Sequence, residues 1–143
     1  LIFKRKLENL QQPLDGSSVL LTAIESLIGF GYGLTPTGDD ILCGLLVGLL
    51  FSHQWDLFGR VSFVLRELLS GKDRTSIISK QFLKYATEGM FIEPIVNLYQ
   101  HLSLNQPINH LLNQIYEMGH TSGSDFLYGI TIGLKRGGDV IDL

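Results

Sequence analysis

An all-α fold is predicted for this chain of 143 residues by three observations. Apolar residues recur at three- and four-residue spacing through most of the chain. The only segments able to pair as strands, Leu1–Phe3 and Val140–Leu143, lie at the termini. One motif that reads as the start of a helix occurs twice. Together they predict a single helical domain over residues 1–143, built from about seven helices, with no linker or low-complexity tract to divide it.

The elements follow in order. Leu20, Ile24, Leu27 and Ile28 mark an amphipathic helix. The run Gly29-Phe30-Gly31-Tyr32-Gly33 matches a phosphate loop only in composition, because no strand precedes it and no Lys follows, so its glycines read as conformational freedom. The first motif helix comes next. After the loop around Trp55, a further helix carries Leu57, Val61, Val64, Leu65 and Leu68. The polar cluster Lys72-Asp73-Arg74-Thr75-Ser76 precedes a helix with the stripe Ile78, Phe82, Tyr85 and Ala86, ended by Gly89 and capped by Asp73 or Thr75. Pro94 opens a short helix to about Leu102. Pro107 sits in the first turn of another, with Ile108, Leu111, Leu112, Ile115 and Tyr116, closed by Gly119. The second motif helix completes the set.

The motif is Thr37-Gly38-Asp39-Asp40-Ile41-Leu42-Cys43-Gly44-Leu45-Leu46-Val47-Gly48-Leu49, and it aligns without a gap on Ser122 to Leu134, with six of the thirteen positions identical. Each copy has a Ser or Thr three residues before an Asp, the pattern of a capped helix start, and then Gly-x-x-x-Gly. The arrangement expected is a pseudo-twofold pair of central helices. Gly44 and Gly48 would face Gly129 and Gly133, bringing both N-termini toward one end.

Composition narrows the function. Hydrophobic residues make up 45% and charged residues 17% of the chain, with a net charge of −3, which suits buried helices or a subunit interface. Lys4-Arg5-Lys6 is the one basic cluster, too little for nucleic acid or an anionic membrane. The longest apolar run, Ile41–Phe51, is too short to span a bilayer. Cys43 is the only cysteine; it reads as a buried core residue, and a cytoplasmic location follows as the default. The chain begins at Leu1 rather than Met, and the expectation is the C-terminal portion of a longer protein.

The candidate site consists of the two motif loops. A helix N-terminus favours anions, and Gly38 and Gly123 would leave room for one. Thr35, Thr37, Thr121 and Ser122 supply hydroxyls. Asp40 and Asp125 fit a capping role equally well. Asp39 has no acidic counterpart in the second copy, nor His120 a histidine in the first, so both are candidates for a further duty. Arg74 and Thr75 would stand over the bound anion, the guanidinium fork matching phosphate or carboxylate. Those Asp residues also leave Mg²⁺ possible as a cofactor. His53, His101 and His110 lack metal-ligand spacing, and no metal site is expected.

Gly-Leu-Thr-Pro-Thr-Gly-Asp-Asp at 33–40, Arg-Thr-Ser-Ile-Ile-Ser at 74–79, Glu88-Gly89 and Gly-His-Thr-Ser-Gly-Ser-Asp at 119–125 resemble a bacterial family. Its members include the AllH-type subunit of oxamate carbamoyltransferase, from anaerobic allantoin breakdown. The resemblance spans about residues 29–134, and the family shows a large aromatic residue where Ser124 stands. It implies a subunit that works with companion enzyme subunits or as a homo-oligomer, on carbamoyl phosphate and a small carboxylate-bearing acceptor, in nitrogen or purine catabolism. Two alternatives belong to other classes: an assembly module without its own active site, and a Mg-dependent helical hydrolase similar to ADP-ribosylglycohydrolases, to which Gly38-Asp39-Asp40 is loosely similar.

Overall fold

The computed structural model describes residues 2–11 and 17–136. The described residues form eight helices and no strand: α1 (Ile2–Gln11), α2 (Ser17–Leu27), α3 (Thr37–Phe51), α4 (Trp55–Ser70), α5 (Ile77–Thr87), α6 (Glu93–Ser103), α7 (Asn109–Tyr116) and α8 (Ser122–Lys135). The seven expected helices are α2 to α8. The addition is α1, where Ile2 and Phe3 are helical rather than part of a strand; Val140–Leu143 lie outside the described residues.

Apolar on every side, α3 is buried from Gly38 through Leu49 and forms the axis of the fold, as expected of a helix without a polar face. One core joins it to α1, α2, α4 and α5 through Leu10, Ile24, Leu45, Val61, Leu65 and Leu83. A second joins it to α6, α7 and α8 through Val47, Leu98, Leu111, Ile115, Ile130 and Leu134.

The two motif helices run side by side, α3 packing more extensively on α8 than on any other element. A Cβ on Gly44 would lie 2.1 Å from the Phe126 carbonyl oxygen, and one on Gly48 2.3 Å from that of Ile130. The reverse holds too: a Cβ on Gly129 would lie 2.1 Å from the Ile41 carbonyl oxygen, and one on Gly133 2.6 Å from that of Leu45. Backbone therefore rests on backbone. Position 44 lies against 129 and 48 against 133, so the helices are parallel and both N-termini emerge at one end.

The duplication reaches further back than the motif. A Cβ on Gly38 would meet the Leu27 carbonyl oxygen at the end of α2, and one on Gly123 that of Ile115 near the end of α7, each at 1.9 Å. Gly38 N–H donates to Phe30 O at 2.8 Å, and Gly123 N–H to Met118 O at 3.1 Å. Leu27 thus matches Ile115 and Phe30 matches Met118, and the stretch from Ile115 to Gly123 is three residues shorter than that from Leu27 to Gly38. Gly31 (φ 118°) and Gly119 (φ 60°) correspond as well: each takes a positive φ and lies against the first helical residue, Thr37 or Ser122. The repeat unit is a helix, a glycine turn and a second helix, α2–α3 and α7–α8.

Candidate functional site

Both motif helices begin without the side-chain cap expected of them. Pro36 is the N-cap of α3 and Thr121 that of α8, and neither makes a side-chain capping hydrogen bond. The Pro36 carbonyl accepts from the N–H groups of Asp39 and Asp40, closing the first turn with backbone alone. Thr37 and Ser122 are consequently the first helical residues rather than caps. Asp40 and Asp125 stand four residues after the actual N-caps, Pro36 and Thr121, one position beyond that of a capping-box acid.

Each acid instead meets one hydroxyl from its own side and one from the first residue of the other motif helix. Ser122, which opens α8, and Thr35, ahead of α3, place their hydroxyls against the Asp40 carboxyl group. Thr37, which opens α3, and Thr121 do the same for Asp125. The Thr35 and Ser122 hydroxyls also share a hydrogen bond of 2.8 Å. Close contact through the glycines makes this crossing possible, because it sets each N-terminal hydroxyl beside the opposite acid.

The hydroxyls do not satisfy the acids fully. Oδ2 of Asp40 and Oδ2 of Asp125 are both buried with no hydrogen-bond partner. Asp40 is 9% exposed, and burial pushes its pKa up to about 7. The neighbouring Asp125 and Asp39 add to that rise, while the Ser122 and Thr35 hydroxyls oppose it. Burial also raises the pKa of Asp125, opposed by the hydroxyls of Thr37 and Thr121. Asp40 is thus a carboxyl group that is partly protonated at neutral pH and able both to donate and to accept.

Asp40, Thr35 and Ser122 line a cleft of about 540 Å³ between α3, α5 and α8. Its remaining walls were not singled out by sequence as site residues: Phe82 and Tyr85 from α5, Met90 and Phe91 from the loop after it, Met118 and Phe126. Phe82 and Tyr85 belong to the stripe read as core, yet each is 46% exposed. Leu83 and Ala86 carry the packing on that helix. Cys43 contributes to the wall, and burial, with the nearby Asp40 and Asp39, drives its thiol pKa up, so it stays a neutral, small side chain.

The other predicted residues lie elsewhere. Gly38 and Gly123 direct their open side at the preceding helix rather than at the cleft. Asp39 is 1% exposed and fully engaged: Oδ1 accepts from Gly29 N–H at 2.8 Å, and Oδ2 from the hydroxyls of Ser79, at 2.5 Å, and Thr75. It pins the start of α3 to the Gly29 turn and to α5. Arg74 pairs with Glu25 on α2, N to O 3.0 Å, and does not line the cleft. His120 is exposed and also lies off the lining. Ser76, rather than Asp73 or Thr75, caps α5 by accepting from Ser79 N–H. Among the described residues, no three His, Cys, Asp or Glu side chains come together to hold a metal ion. No helix among them is long and apolar enough to cross a membrane.

A family model described as oxamate carbamoyltransferase subunit AllH matches residues 27–134, well over half of the chain. The chain belongs to the AllH family. The matched span opens at the end of α2 and closes within α8, so it contains both motif loops, the crossed acids and every cleft residue named above. No solved structure matches the chain.

Proposed function

We propose that this AllH-family chain is the substrate-holding subunit of a carbamoyltransferase-like enzyme in nitrogen or purine catabolism, with the cleft beside Asp40 as its ligand site. A small anionic substrate such as oxamate or carbamoyl phosphate enters with its amide end toward Asp40, Thr35 and Ser122. The observation that carries this reading is the buried Asp40 carboxyl group, which lines an open cleft beside the Thr35 and Ser122 hydroxyls.

The orientation follows from charge. Among the described residues, no Lys, Arg or His lines the cleft, and Asp40 has Asp125 for a neighbour. The anionic end of the substrate therefore points to the mouth, where a companion subunit meets it. Arg74, engaged by Glu25, has no part in this.

Isothermal titration with oxamate and with carbamoyl phosphate, on the wild type and on Asp40→Leu, tests the reading. Binding by the wild type and its loss in the variant are expected, and a ligand at 100 times its Kd should add about 2.7 kcal/mol of stability. Equal binding by both proteins would move the ligand site out of the cleft.

A further inference from the structure

A substrate of a few heavy atoms fills only the end of the cleft where Asp40, Thr35 and Ser122 meet. The whole space, about 540 Å³, is of the size that takes a much larger body, roughly 300–1,000 Å³ for drug-sized ligands. The surplus is apolar and open. Phe82, Tyr85 and Met90 wall it and are 46%, 46% and 47% exposed.

Apolar surface runs on past the cleft. Ile78 lies one turn before Phe82 on the same flank of α5 and is 45% exposed. The Ser76 hydroxyl donates to the Leu34 carbonyl, which ties Leu34, itself 68% exposed, to the start of α5 and sets it beside Thr35 of the lining. Leu34, Ile78, Phe82, Tyr85 and Met90 thus make an apolar rim along one side of the mouth, a concentration of exposed apolar residues of the kind that marks an interaction site.

Resting on the cleft as the site of a small anionic substrate, we propose that a companion subunit seats an apolar segment carrying an Arg or Lys on this rim. The segment fills the outer cleft, and its cation meets the anionic end of the substrate. Charge selects this occupant. Among the described residues the lining offers the anion no Lys, Arg or His. Of the residues next in sequence to the lining, Glu93 and Glu117 are exposed acids and Lys84 is the exposed base. An acidic or wholly apolar segment would bury the substrate's charge unpaired, which is costly. A second copy of this chain, with its net charge of −3, is disfavoured on the same ground. The contact completes the site rather than holding the assembly together.

The experiment titrates oxamate and its neutral counterpart oxamide into the wild-type chain, alone and mixed with companion carbamoyltransferase subunits. Leu34→Glu and Ile78→Glu, at exposed positions outside the lining, are titrated in the same way. In the wild type the companion subunits should raise the affinity for oxamate at least about tenfold more than that for oxamide, because only oxamate presents a charge to the incoming cation. Both variants should bind oxamate as the wild type does when alone and lose the gain in the mixture. No gain in the wild type, or a full gain in both variants, overturns the rim as the docking surface, while Asp40-dependent binding of oxamate by the chain alone keeps the cleft as the ligand site. Equal gains for the two compounds overturn the cation. Self-association of the wild type that Ile78→Glu abolishes would make a second copy the occupant and overturn the companion subunit. Oxamate binding neither by the chain nor by the mixture overturns this inference and the proposed function together.

Discussion

Asp40 and Asp39 are adjacent, both buried, and opposite in their chemistry. Asp39 has three donors and works as a clamp, so Asp39→Ala strands the Gly29 N–H and the hydroxyls of Thr75 and Ser79. A loss on the order of 3 kcal/mol in denaturant unfolding is expected. Asp40 predicts the reverse. Its pKa rises from 3.8 to about 7 on folding, so the folded chain holds this proton more tightly than the unfolded chain. Between those two values the unfolded state has released the proton and the folded state has kept it. Stability therefore falls as pH rises through that window and levels off above it. Asn has no proton to lose and suits the same hydroxyls. Asp40→Asn should be more stable than the wild type by on the order of 2–4 kcal/mol near pH 8, and by nothing below the ordinary Asp value. Urea unfolding at the two pH values checks this, and an equal difference at both would mean that burial is not what perturbs the group.

At the scale of elements, the glycines decide the geometry. Adding one methyl at position 44 or 129 sets a Cβ 2.1 Å from a backbone oxygen of the other helix, and backbone has little room to yield. Gly44→Ala and Gly129→Ala should each cost about 1–3 kcal/mol and should disturb the crossed acids, since those depend on the same close approach. Gly59 in α4 is the control: no atom lies within 4 Å of its added Cβ, and Gly59→Ala should gain about 0.5–1 kcal/mol. Thermal melts of the three variants order them. The glycine pairing was legible because two copies of one motif with matching small residues leave few other ways to pack. The convergence of Thr35, Thr37, Asp40, Thr121, Ser122 and Asp125 was legible for the same reason. Other features escaped because they depend on tertiary distance. A Thr or Ser three residues before an acid looks like a capping box, and only the position of the facing helix reveals that the acid crosses over. Arg74 looked free beside a motif loop until Glu25, 49 residues earlier, took its charge. Phe82 and Tyr85 carry a core-like period, and periodicity cannot distinguish a buried face from the wall of a cleft. The spacing of Phe3, Leu7 and Leu10 in α1 was itself a helical signal.

At the scale of the molecule, the described residues form an acidic, apolar-walled cleft with no Lys, Arg or His among those that line it. Carbamoyl transfer from carbamoyl phosphate releases phosphate, whose developing charge requires Lys, Arg, a metal or equivalent donors close by. The N–H groups of Gly38 and Gly123 are already taken by Phe30 and Met118 carbonyls, and those of Asp39, Asp40 and Asp125 by carbonyls of the same first turns. The helix ends therefore have little left to offer that charge. Under the proposed function, companion subunits are expected to bring it, in keeping with a family described as an enzyme subunit. We place the proposed contact with those subunits on another face, where Trp55 and Phe63, two turns apart on α4, are 59% and 60% exposed on either side of Gly59. The chain alone is therefore expected to bind ligand without turning it over. An assay of carbamoyl transfer with the chain alone, then with companion carbamoyltransferase subunits added, tests this directly. Activity should arise only in the mixture, fall with Asp40→Leu through lost ligand binding, and fall with Trp55→Glu and Phe63→Glu through lost assembly while titrated ligand affinity stays unchanged. Sustained turnover by the isolated monomer would mean that the missing cation lies within this chain after all.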